Sequence, residues 1–140
     1  MVGGRAAEEL VFSVQTTGAA NDIQRATALA KNMVTLYGMS QELGLMAPAT
    51  VSNAYLEGQA YLDCSQETAA AVDRQIKVIL AQSFAEAKQL LSSNRKLLDQ
   101  IAEHLLLKET ITGDELMAFV NAENQENPAV NAEETDFAEE

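Results

Sequence analysis

The apolar spacing of residues 65–91 constrains this chain most. Ala69, Val72, Ile76, Ile79, Leu80, Ser83, Ala87, Leu90 and Leu91 recur at the three- and four-residue intervals that place side chains on one face of an α-helix. The stripe lasts about seven turns, which is long for a globular helix and natural for a bundle. Ser65 stands where an N-cap belongs, with a hydroxyl that can accept from a free first-turn N–H. The triplet SSN at 92–94 ends the stripe.

The other segments share the helical period. Residues 6–12 read as a helix, with Gly3 and Gly4 before them. Each glycine lowers helix propensity by roughly 1 kcal/mol and is tolerable where something packs close. Residues 13–18 form a break. A second helix is expected over 19–37, with Ile23, Ala26, Thr27, Ala30, Met33, Val34 and Tyr37 on its apolar face and Gly38 as its C-cap. In the less regular stretch that follows, MSQELG suits a short turn of helix, and 46–63 suits an irregular loop or a short hairpin. Leu97, Leu98, Ile101 and Leu105 mark a fourth helix. In TITGDELMAFV, Thr112 and Glu115 have the spacing of a capping box at the head of a fifth. The expectation is an all-α domain over residues 1–122, a bundle of about five helices joined antiparallel by short loops.

Charge separates the end of the chain from the rest. The net charge is -12, and residues 123–140 hold seven acids and no base, which reads as an acidic disordered tail. The acidic balance argues against nucleic acid, because phosphate contacts need clustered Lys and Arg. No apolar run approaches the roughly 18 residues of a membrane span. A single cysteine, Cys64, leaves no intramolecular disulfide and suits a reducing compartment.

Asp22 is the residue whose chemistry stays open. It falls in the first turn of the second helix, behind the hydroxyls of Thr16 and Thr17 and behind Gly18. It could be a helix-dipole or capping carboxylate, the flank of a phosphate cradle, or a metal ligand. The phosphate reading lacks the GxxxxGK[ST] loop and its lysine. The metal reading lacks companions: a catalytic zinc takes three protein ligands, and the chain has one histidine and one cysteine. His104 lies among leucines and reads as a helix-edge histidine, and Cys64 reads as a small packed thiol.

The words of the sequence then match a family. GGRAAEELVF at 3–12, TTGAANDIQRATALAKNMVTLYGMS at 16–40 and ELG at 42–44 resemble the FtsH family of membrane-anchored AAA+ ATP-dependent zinc metalloproteases. SQETAAAVD at 65–73 and NRKLLDQIAEHLLLKETITGDEL at 94–116 are similar to later segments of the same peptidase domain. The resemblance covers about residues 2–120. It implies a mostly helical peptidase domain whose zinc is held by two histidines of an HExxH helix and by an aspartate, which here is Asp22. Glu8 corresponds to a carboxylate that would support the site from behind. The HExxH glutamate would be the general base, so the resemblance implies no catalytic residue in this chain.

HExxH does not occur in the sequence, and in that family it lies upstream of GGR. The resemblance therefore implies the C-terminal part of such a protease, beginning inside the peptidase domain and inactive by itself. Zinc would belong to the intact protein, with none bound tightly by this chain, and ATP to a separate ATPase domain. Implied partners are the other subunits of a hexamer, the HExxH-containing segment and protein substrates. Nucleic acid is not among them, and this chain would make no direct membrane contact. The parent would work at the cytoplasmic side of the bacterial inner membrane, or an organelle equivalent, while this stretch is soluble. Ser13 stands where that family often has glycine. The rival reading is a stand-alone helical interaction or oligomerisation module.

Overall fold

The computed structural model describes residues 1–51 and 60–126. The chain divides into two compact units, Met1–Leu90 and Leu91–Glu140.

In the first unit, α1 (Gly3–Phe12) begins three residues earlier than propensity predicts. No described atom comes within 4 Å of where a Cβ on Gly3 or Gly4 would stand, so the close neighbour expected there is not among the described residues. The helix ends at Ser13, in the left-handed region at φ 55°, with its N–H bonded to the Glu9 carbonyl. A 3-10 turn (Thr17–Ala19) leads directly into α2 (Ala20–Thr35). The buried line of α2 is Ala26, Ala30, Val34 and Thr35. Ile23, Thr27 and Tyr37, assigned to the apolar face by spacing, are exposed. The helix stops short of Gly38, which turns the chain at φ +66°.

Residues 39–46 are a hydrogen-bonded turn rather than a turn of helix. Ser40 and Gly44 form an isolated β-bridge, and Ser40 Oγ accepts from the Leu43 N–H at 3.1 Å. The stem is fixed to the next helix, where Arg74 and Gln75 donate to Glu42 at 2.7 and 2.8 Å. β1 (Ala49–Val51) then pairs antiparallel with β2 (Ala60–Leu62), with Ala49 opposite Leu62. The hairpin alternative for 46–63 is the one adopted, and residues 52–59 of that stretch lie outside the described residues.

Ser65 caps α3 (Gln66–Ser93) as its sequence position suggested, accepting from the Thr68 N–H at 3.2 Å. Lys88 reaches Glu9 at 2.6 Å and ties α3 to α1. The core of this unit is built from small side chains: Ala6, Ala19, Ala26, Ala30, Val34, Ala71 and Val72. Of the stripe read along α3, Val72 is buried, whereas Leu90 is 65% exposed. Period alone identifies the face of a helix; how much of that face is covered depends on the neighbours it finds.

The second unit is a helical hairpin of α4 (Arg95–Lys108) and α5 (Gly113–Glu126). His104 meets Phe119, and Lys108 meets Glu115, so partners rise along one helix as they fall along the other. That pairing is antiparallel. The turn closes with Glu109 in the left-handed region at φ 63° and with the anticipated capping box. The Thr112 N–H donates to Glu115 at 3.0 Å, and the Glu115 N–H returns to the Thr112 hydroxyl at 3.3 Å. α4 buries no residue fully, and Leu106 and Leu107 are 84% and 86% exposed. α5 extends to Glu126, past residue 122, and residues 127–140 of the acidic segment lie outside the described residues. No helix among the described residues is long and apolar enough to cross a membrane.

Candidate functional site

The entrance to α2 is held by α1. Arg5 and Glu8 are one turn apart on α1 and pair at 3.4 Å. Both reach Thr16. Arg5 Nη2 donates to the Thr16 carbonyl at 2.9 Å. Glu8 accepts from the Thr16 hydroxyl at 2.5 Å and from the Thr16 N–H at 3.3 Å. The same hydroxyl accepts from the Gly18 N–H at 3.1 Å and so caps the 3-10 turn. The bonds from the Thr16 side chain and backbone, then the Arg5 guanidinium, hold the Glu8 carboxyl below the ordinary carboxylate range.

This network bears on the phosphate and capping readings of Asp22. The hydroxyl and N–H of Thr16, part of what suggested a phosphate cradle, donate to the chain's own anion, Glu8, and the Gly18 N–H donates to the Thr16 hydroxyl. Asp22 itself makes no side-chain cap bond, and the N-cap position belongs to Ala19. What remains of the capping role is the electrostatic gain of a carboxylate in a first turn, about 0.3–1 kcal/mol. Asp22 is half-buried, with no hydrogen bond or ion pair to any described residue. Glu8 and Asp22 are not bonded to each other: Glu8 supports the loop ahead of Asp22. Next to Asp22, Ile23 lines a groove together with Arg5, Glu9, Gln15 and Phe84.

A zinc that performs hydrolysis takes three protein ligands and keeps one position open. Among the described residues no three His, Cys, Asp or Glu side chains come together as a metal site. The residues described therefore do not compose a zinc centre. The carboxylate of Asp22 is half-buried and has no side-chain partner among the described residues. Cys64 is half-buried after β2, outside any such cluster. His104 belongs to the second unit, where its ring stands edge-on to Phe119 at 5.2 Å. Its Nε2 is buried without a hydrogen bond, 4.0 Å from Glu115. Glu115 is drawn down to about 2 by the Thr112 N–H, Lys108 and the Thr112 hydroxyl, in that order.

Thr16 and Arg5 were not legible as site residues. The available signal was a threonine two residues before a glycine at a helix entrance, a local hydroxyl-to-backbone turn. Its partner, Glu8, lies eight residues back, where no helical period relates the two.

Residues 1–119 match Peptidase family M41. The ATP-dependent zinc metalloprotease FtsH of Clostridium perfringens is 49% identical over 120 residues, which are 86% of this chain and 17% of that protein. The FtsH of Lancefieldella parvula is 47% identical over 124 residues, covering 89% of this chain and 19% of the relative. That of Thermotoga maritima is 44% identical over 126 residues, covering 88% and 21%. The chain spans about a fifth of the length of these relatives and corresponds to their C-terminal part. With a match along 119 of its 140 residues and nearly half of its aligned positions identical to FtsH proteins, the chain belongs to peptidase family M41.

Proposed function

We propose that this chain is the portion of an FtsH-type ATP-dependent zinc metalloendopeptidase that contributes the aspartate ligand, Asp22, to the zinc centre. One observation carries the reading: within the matched segment, Asp22 is a half-buried carboxylate with no partner among the described residues, at the head of a helix whose entrance is fixed. Zinc supplies Lewis-acid activation of a water nucleophile. This chain's part is the carboxylate and the scaffold that orients it. Glu8 acts through Thr16, one step back from the ligand. The groove at Ile23 and a second one lined by Leu29, Met33, Ile79 and Leu80 offer apolar surface to the helix bearing the two histidines. Protein substrates, neighbouring subunits of a hexamer and a membrane-anchored parent follow from the same reading.

The test is reconstruction. The 140-residue chain alone should leave casein uncut. Extended upstream by an HExxH helix and supplied with zinc, it should cut casein, and Asp22→Asn should abolish that activity while His104→Gln and Cys64→Ser retain it. Full activity in the Asp22→Asn protein would refute the assignment. Failure of the extended wild-type chain to cut would favour a helical interaction module instead.

A further inference from the structure

We infer that Thr16 is the positioning residue for Asp22, the centre of a clamp in which Arg5 and Glu8 fix the register of α2 relative to α1. This rests on the reading of Asp22 as a zinc ligand. The Asp22 carboxylate has no hydrogen bond to any described residue. A carboxylate without a hydrogen bond of its own takes its direction from the backbone that carries it, and a metal ligand must be held within about 0.5 Å of its working place. The backbone of α2 enters through Gly18, four residues before Asp22, and Thr16 is the last residue before the 3-10 turn.

Thr16 commits all of its polar groups. Its N–H and hydroxyl both donate to Glu8, its carbonyl accepts from Arg5, and its hydroxyl also accepts from the Gly18 N–H. Three of these bonds reach α1 and one reaches the entrance of α2. Thr16 is exposed, so a single bond there would exchange with water; several bonds to one residue hold a geometry that one would not. Gly18 supplies a second, independent observation. A Cβ there would stand 3.3 Å from Thr16 Oγ1, tighter than ordinary packing, and 3.4 Å from Glu8 Oε1, at the edge of ordinary contact. The bare backbone at Gly18 lets the Thr16 hydroxyl sit over the entrance to the helix without being displaced.

The experiment has two parts. In the chain itself, Thr16→Val keeps the shape and removes the hydroxyl, and Thr16→Ser keeps the hydroxyl. Amide exchange followed by NMR at Gly18 and Ala20 should quicken about tenfold in Thr16→Val, the scale of one net hydrogen bond, and return to the wild-type rate in Thr16→Ser. Unchanged exchange in Thr16→Val overturns the clamp, whatever Asp22 does. In the chain extended by an HExxH helix, the zinc dissociation constant should rise by roughly 10–100-fold in Thr16→Val, the range for groups that orient a ligand, and recover in Thr16→Ser. Faster exchange with unaltered zinc affinity, while Asp22→Asn still loses zinc, refutes positioning and leaves the Asp22 assignment standing. Unaltered zinc affinity in Asp22→Asn removes the assignment itself, and the inference falls with it.

Discussion

Val72→Ala should cost the first unit a large share of its stability. Val72 is 1% exposed, and the other buried apolar side chains of this unit are mostly alanine. Removing two methyl groups forfeits about 1.6 kcal/mol of transfer free energy at roughly 0.8 kcal/mol per carbon. An unfilled space of about 50 Å³ adds roughly 1.2 kcal/mol at about 24 cal/mol per Å³. The total of about 2–3 kcal/mol is a large part of the 5–15 kcal/mol typical of a domain. Urea unfolding followed by circular dichroism reads it directly. With a slope of about 1–3 kcal/mol per molar, the midpoint should fall by roughly 0.7–3 M at an unchanged slope. Leu45→Ala is the control, because Leu45 is 98% exposed and its loss should stay within about 0.5 kcal/mol. A Val72→Ala midpoint matching the control would mean that the small-residue core does not hold this unit together.

Two further outcomes follow from the same geometry. Ser13→Gly should stabilise the first unit by up to about 1 kcal/mol in urea unfolding, because it removes a side chain from the left-handed region that Ser13 occupies at φ 55°; a loss of stability would contradict that cap. Glu115 lies at about 2 rather than 4.5, so its contribution to the second unit is complete above pH 4.5 and is lost as the pH falls toward 2. Amide protection at the head of α5, taken relative to unfolded-chain exchange at the same pH, should fall across that window, and Glu115→Gln should flatten the dependence; constant wild-type protection would refute the capping box in solution.

What the sequence made legible is what local bonding decides. Ser65 and the pair Thr112 and Glu115 cap their helices as their spacing indicated, because each bond closes within three residues. Asp22 falls in the first turn of α2, where the break at 13–18 and the onset of the helical period placed it. The face of α2 was only partly legible. Ile23 and Tyr37 fit the apolar period, yet the alanines at 26 and 30 are the buried ones, since burial depends on neighbours the period does not name. The hairpin of 46–63 was ambiguous, since three-residue strands carry too little alternation to stand out. The bonds between Glu8 and Thr16 were not legible. They join residues eight apart across a loop, and neither helical nor strand spacing encodes such a pairing.

The central claim, that Asp22 completes a zinc centre, is tested most directly by zinc affinity rather than by turnover. The chain extended by an HExxH helix is titrated against a competing chelator, with Asp22→Asn and His104→Gln alongside. Binding should be tight in the extended chain and weak in the 140-residue chain alone. Asp22→Asn should show a loss beyond the roughly 10–100-fold seen when only a supporting group is removed, and His104→Gln no change. Equal zinc affinity with and without the Asp22 carboxylate would contradict the account and return Asp22 to the role of a helix-dipole residue.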